Sequence, residues 1–293
     1  NELINIRHAP TFRSPQNLVK NILDISRFSK GPVFLVGDLH QAGEEHVLQV
    51  LKGLKSAHVK NEIVFEVFGM PPLSYLQVID DHVANWSLEL SPESHDEQIR
   101  GVQDEKVFYK NSEMEAVIRE ALRLRCHRID VFFMIGLSQQ TRASVLGSID
   151  YCEKLFQTSD ARLSCFISPM GPFVDPGSRC FEEPERYGYS LFARTLEEHR
   201  QLLVQPSWEQ ILNYETRWMS REELVDVTYD AAEALNRLKL KYGRIENGRG
   251  QEVAERINRA RGLKDRLRQV NADQTVLKPT ERDMLLGEIH DFS

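Results

Sequence analysis

One pattern recurs along the first 170 residues: short apolar runs that end abruptly in polar residues. Residues 130–141, DVFFMIGLSQQT, show it best. Positions 131–135 are apolar and aromatic-rich, close on Gly136 and give way to Ser138, Gln139 and Gln140. An uninterrupted run of this length predicts a strand buried on both faces of a parallel sheet. Residues 33–36 run likewise into Gly37, Asp38, Leu39 and His40. Residues 63–68 carry Glu66 and end at Gly69, 86–90 run into Ser91, Pro92, Glu93 and Ser94, and 163–167 end at Ser168 and Pro169. In a parallel barrel the C-terminal strand ends share one mouth, so these polar groups are expected to converge on one ligand.

Helical spacing fills the intervals. Ser14 and Pro15 read as an N-cap and first-turn proline ahead of Leu18, Val19, Ile22 and Leu23, and Gly31 with Pro32 stops that helix. Val47, Val50, Leu51 and Leu54 form one apolar face behind Glu44 and Glu45, which suit a positive helix N-terminus. Met114, Val117, Ile118, Ala121 and Leu122 form another behind a cap at Asn111 and Ser112, and Val145, Ile149, Cys152 and Phe156 a third. Strand and helix thus alternate at roughly thirty-residue spacing, the signature of βαβ units. No Gly-rich dinucleotide fingerprint accompanies it, which favours a barrel or partial barrel over a Rossmann sheet. Because the chain opens on a helix, one further strand is expected before it.

From Gly171 the composition changes. Residues 171–189, GPFVDPGSRCFEEPERYGY, read as a long loop. The chain then reads as helical to near Leu267, with Trp208, Tyr214, Trp218 and Tyr229 as packing anchors and the charged stretch 248–268 as a solvated helix face. The expected organisation is a partial barrel over 1–170 and a loop plus helical extension over 171–293.

A net charge of −7 argues against a nucleic-acid surface. No apolar run reaches the roughly 20 residues of a bilayer span, and no signal peptide opens the chain, which points to a soluble, cytoplasmic protein. Cys126, Cys152, Cys165 and Cys180 lack metal-site spacing and read as reduced, mostly buried thiols.

Residues 84–141 resemble radical S-adenosylmethionine enzymes of the subgroup with an N-terminal cobalamin-binding domain. LELSPESHDEQIR, NSEMEAVIREAL and RIDVFFMIGLSQQT carry the resemblance, in that order. FRSPQNLVKNILDI and VFLVGDLH upstream, and FISPMGPFVDPGSRCFEEPERYGY, RTLEEHR and LNYETRWM downstream, extend it over most of the chain. The resemblance implies a partial (β/α)6 barrel of the TIM-like radical type, here missing its first strand. It implies three cofactors in the intact protein: S-adenosylmethionine, a [4Fe–4S] cluster held by a CxxxCxxC loop, and cobalamin. It also implies radical-mediated methylation or rearrangement of a small-molecule or lipid-like substrate. The sequence has no CxxxCxxC, and it begins at Asn1 rather than Met. The expectation is therefore a fragment lacking the cobalamin domain, the first strand and the cluster loop, and inactive alone.

The same resemblance assigns cofactor-binding roles. Asp38 stands where the family carries a carboxylate for the methionine amino group. Ser91 and Glu93 stand at the ribose hydroxyls, and Ile135, Gly136 and Leu137 at the adenine; one helical turn beyond Ser94, the Arg100 guanidinium is of the kind that clamps a methionine carboxylate in a bidentate way. Glu66 is singled out independently, because a carboxylate in an apolar strand is costly unless it faces a ligand or a cation. Two alternatives stay open. One is a metal-dependent barrel hydrolase using Asp38, His40, Glu66 and His95, for which GDLH is a superficial match to a metallophosphatase GDxH without its partner motifs. The other is a non-catalytic barrel scaffold that has lost its cluster.

Overall fold

The computed structural model describes residues 11–103, 108–169, 174–273 and 287. Its first half is an alternating α/β segment. Helix α1 (Pro15–Phe28) leads to β1 (Val33–Leu35), a 3-10 turn (Leu39–Ala42), α2 (Glu44–Ser56) and β2 (Ile63–Val67). Then come α3 (Leu73–His82), β3 (Trp86–Glu93), α4 (Glu97–Gln103), α5 (Asn111–Arg123), β4 (Ile129–Ile135), α6 (Arg142–Gln157) and β5 (Leu163–Pro169). The five strands form one parallel sheet in the order β1-β2-β3-β4-β5, as the alternation predicts. Each junction opens in the same way: Val33 N donates to Glu62 O, Ile63 N to Asn85 O, Leu88 N to Arg128 O and Ile129 N to Arg162 O, all at 2.8–3.0 Å.

Helix starts follow their local chemistry. Ser14 Oγ accepts from Asn17 N and Pro15 takes the first helical position. Asn111 is the first residue of α5 rather than its cap, because its side chain is engaged elsewhere: Oδ1 accepts from Arg100 and Nδ2 donates to His95 O. Lys110 N is met instead by Glu113 Oε2 at 2.7 Å.

The strands are not buried on both faces, contrary to the expectation from their apolar runs. Side chains alternate across a strand, and α1 packs on α2, α2 on α3 and α3 on α5 as one layer. Under that layer lie Leu35, Phe65, Leu88, Val131 and Phe133, all buried. The other face is only partly covered: Phe34 is 40% exposed, and Glu66, Glu89, Phe132 and Phe166 are half-buried. Phe132 and Phe166 stack at 4.7 Å between ring centroids, each covering part of the other.

After β5 the chain does not remain a loop. Within 171–189, residues 171–173 lie outside the described residues, but single helical turns form at α7 (Arg179–Glu182) and α8 (Pro184–Tyr187). Nor is the remainder purely helical. Strands β6 (Tyr189–Leu191) and β7 (Tyr214–Thr216) pair antiparallel, enclosing α9 (Leu196–Leu203) and α10 (Trp208–Ile211). Helices α11 (Arg221–Lys241) and α12 (Asn247–Asp273) pack together. The face of α12 that reads as solvated is a charge clip: Lys264 and Arg268 both meet Asp226, and Arg261 meets Asp230. Burial alone would raise the Asp226 pKa, but Arg268 and Lys264 together bring it below its ordinary value.

Two compact units result. The first comprises the described residues within Asn1–Phe133 and Asp150–Phe166, the second those within Met134–Ile149 and Ile167–Ser293.

Candidate functional site

The first unit carries a cavity of about 780 Å³ at the C-terminal ends of β1, β2 and β3. Asp38, His40, Phe68, Ser91, Glu93, Arg100 and Tyr109 are among its lining residues. Four of the eight residues singled out in the sequence, Asp38, Ser91, Glu93 and Arg100, therefore meet in one place.

Asp38 organises the β1 end. It is 6% exposed; Oδ1 accepts from His40 N at 3.0 Å and Oδ2 from Phe68 N at 3.3 Å. One carboxylate thus caps the 3-10 turn and ties the loop after β1 to that after β2. Glu66 reinforces the tie by accepting from Gly37 N at 2.6 Å. Gly37 has φ +95°, a conformation that glycine adopts at little cost. The costly carboxylate of β2 has therefore found a backbone donor. The His40 ring packs edge-on to Tyr75 at 5.0 Å.

Ser91 and Glu93 owe their position to an irregularity. Leu90 pairs with Val131, but Glu93 pairs with Phe133, so β3 carries one extra residue between them. Pro92 sits in that bulge, where no ladder donor is needed. The strand runs on to Glu93, three residues past the apolar run, and Glu93 takes φ +61°. Bulges of this kind re-aim side chains, and here two of them face the cavity.

Beyond the bulge, Ser94 Oγ accepts from Asp96 N and Asp96 Oδ1 from Gln98 N, which starts α4. One turn on stands Arg100, 7% exposed, its Nη2 donating to Asn111 Oδ1 at 2.8 Å and its Cζ 4.3 Å from the Tyr109 ring centroid. His95, whose carbonyl accepts from Asn111 Nδ2, has its pKa lowered by burial against the opposing pull of Asp96 and Asp150.

Ile135, Gly136 and Leu137 belong to the second unit. Gly136 has φ +97°, and the turn is built by Gln140, whose Oε1 accepts from Gly136 N at 2.8 Å and Leu137 N at 3.2 Å while Nε2 donates to Met134 O. Ser138 Oγ donates to Tyr187 O and Tyr189 Oη to Gly136 O. Ser138 and Gln140, which read as candidate ligand groups, are here turn-building residues.

Sequence reasoning missed Tyr109, Phe108 and Asn111 as site residues. The only signal was an aromatic pair just before a helix start, which reads equally well as packing. Asp38, His40, Glu66 and His95 do not gather: among the described residues no group of three or more His, Cys, Asp or Glu side chains is placed to hold a metal. Cys126, Cys152 and Cys165 are buried thiols outside any disulfide, and burial pushes the Cys126 thiol up to about 12. Among the described residues no helix is long and apolar enough to cross a membrane.

No protein-family model matches the chain. No curated protein matches it either. Among solved structures it is similar to archaeal Methanocaldococcus infernus Elp3 with an N-terminal deletion, at 12% identity and a TM-score of 0.40. That match covers 75% of this chain and 52% of the other, so the chain spans about half the length of its neighbour. A likeness this distant assigns neither an activity nor a site.

Proposed function

We propose that residues 1–170 are the barrel portion of a cobalamin-dependent radical S-adenosylmethionine enzyme, with 171–293 as an appended extension. The observation that carries this reading is the position of the cavity. It lies where parallel strands end, which is where ligands of open and closed α/β folds bind, and it gathers Asp38, Ser91, Glu93 and Arg100.

The donor set suits S-adenosylmethionine in the first unit. Arg100 would hold the methionine carboxylate, Ser91 and Glu93 the ribose hydroxyls, and Asp38 would offer its remaining lone pairs to the amino group. Adenine contact at Ile135, Gly136 and Leu137 rests on the sequence resemblance alone. When bound beside a reduced cluster, S-adenosylmethionine supplies a hydrogen-abstracting radical. The cluster itself does not fit this chain, because three closely spaced thiolates are needed and the four cysteines lie at 126, 152, 165 and 180. A cobalamin-binding domain in the same polypeptide would be the second partner, and the substrate a small or lipid-like molecule.

Calorimetric titration with S-adenosylmethionine tests the reading. Each neutral hydrogen bond contributes about 0.5–1.5 kcal/mol, and tenfold in affinity needs about 1.4 kcal/mol. Without a cluster to chelate the methionine, the expected dissociation constant is millimolar or weaker. Low-micromolar binding would show a site complete without the cluster. Failure to bind at tens of millimolar would remove the assignment.

A further inference from the structure

Three buried donor atoms have no hydrogen-bond partner among the described residues of the first unit's cavity: Nε and Nη1 of Arg100, and Oη of Tyr109. Both side chains line that cavity, and they are 7% and 5% exposed. A buried donor left unmet costs about 1–3 kcal/mol, and more when charged, so such atoms point to a ligand or an ordered water.

The guanidinium is held where it is. Its Nη2 is fixed by Asn111, whose own backbone N donates to Glu97 Oε1 at 2.7 Å, and its Cζ lies over the Tyr109 ring, 4.3 Å from the centroid. The carboxylates of the cavity do not answer it. Asp38 accepts from His40 N and Phe68 N, Glu113 accepts from Lys110 N, and neither these nor Glu93 hydrogen-bonds to the three orphan atoms. Burial raises the Tyr109 phenol against the opposing pull of Arg100, both by its charge and by its close approach to the hydroxyl, which falls short of hydrogen-bond geometry, so the hydroxyl stays a donor at neutral pH.

We infer that Tyr109 is a specificity-determining residue of this cavity, its hydroxyl joining Arg100 to receive the carboxylate of a zwitterionic small molecule. A guanidinium matches a planar carboxylate closely. Three acidic side chains line the same cavity, Asp38, Glu93 and Glu113; they oppose a dianionic phosphate and suit a ligand that also carries a cation. The inference deepens the S-adenosylmethionine reading and rests on it for the ligand, while the carboxylate site itself rests on the orphan atoms.

The test follows the Arg100 Nε–H resonance in the arginine-labelled chain, identified by its loss in Arg100→Lys. Four probes are titrated: S-adenosylmethionine, its decarboxylated form, acetate and inorganic phosphate. S-adenosylmethionine and acetate are expected to move the resonance, and the decarboxylated form to leave it in place. Tyr109→Phe should weaken the carboxylated ligand about three- to tenfold and leave the decarboxylated one unchanged. If acetate moves the resonance and S-adenosylmethionine does not, the carboxylate site stands and the nucleoside reading falls. A resonance moved by phosphate but not acetate, or by no probe, overturns the inference, and so does a Tyr109→Phe variant that weakens both nucleosides alike or neither. Should that variant not fold, the four titrations of the unaltered chain decide the matter.

Discussion

Gly136 is met by two tyrosines with opposite consequences. Tyr189 Oη donates to its carbonyl at 2.9 Å, whereas Tyr214 is fully buried and its hydroxyl has no partner among the described residues. Removing a made bond costs about 0.5–1.5 kcal/mol, while removing an unmet hydroxyl is close to neutral or stabilising. Tyr189→Phe should therefore lower the urea midpoint, and Tyr214→Phe should leave it or raise it. Equal losses in the two variants would mean that the Tyr214 hydroxyl is satisfied. A side chain at 136 has no room, because its Cβ would lie 2.6 Å from Tyr214 Oη in a backbone conformation with φ +97°. The sequence shows why this turn ends the strand but not what holds it: the partners of Ser138 and Gly136 lie 49 and 53 residues further on. Asp38 is the converse case. Its capping role is local, to His40 two residues on, within the reach of an Asp side chain at a turn.

At the scale of elements, β4 separates the two faces of the sheet. Phe133 is 1% exposed and packs edge-on against Tyr151, whereas its neighbour Phe132 is half-buried and stacks on Phe166. Phe133→Ala should cost about 3–5 kcal/mol in denaturant unfolding, and Phe132→Ala less than half of that. Equal costs would mean that the second face is as well packed as the first. That face also carries Glu66, Glu89 and Asp130 in register across β2, β3 and β4. Burial raises the pKa of Glu89, with Glu66 and Asp130 adding to the rise and Arg128 opposing it. A carboxyl raised in the folded state favours folding while protonated, and that contribution is lost as pH rises through the folded-state pKa. Glu89→Gln should thus gain stability over the unaltered chain between about pH 4 and pH 7, and the gain should vanish in more acid solution. A constant difference across that range would contradict the shift. Period and run length made the five parallel strands and most helices legible. They could not reveal β6 and β7, because YSL and YET are three-residue strands with polar centres and present no apolar run.

At the scale of the whole molecule, strand order followed from alternation alone, whereas the open face did not. An apolar run such as VFFMI reads as doubly buried, and only the packed structure shows that Phe132 is left half-buried. The cavity was half legible for a related reason. Polar residues after strands mark Asp38, Ser91 and Glu93, but the bulge that aims the last two, and Tyr109 and Asn111 arriving from beyond α4, depend on packing that no local pattern encodes. In the proposed function the strand-end cavity of the first unit binds S-adenosylmethionine. The most direct test is a map of backbone amide shifts in the deuterated chain as S-adenosylmethionine is raised to tens of millimolar. Saturable shifts concentrated at residues 37–41, 68–70, 91–100 and 108–109 are expected. Shifts confined to the α7 and α8 turns or to α12, or none at all, would contradict the proposal.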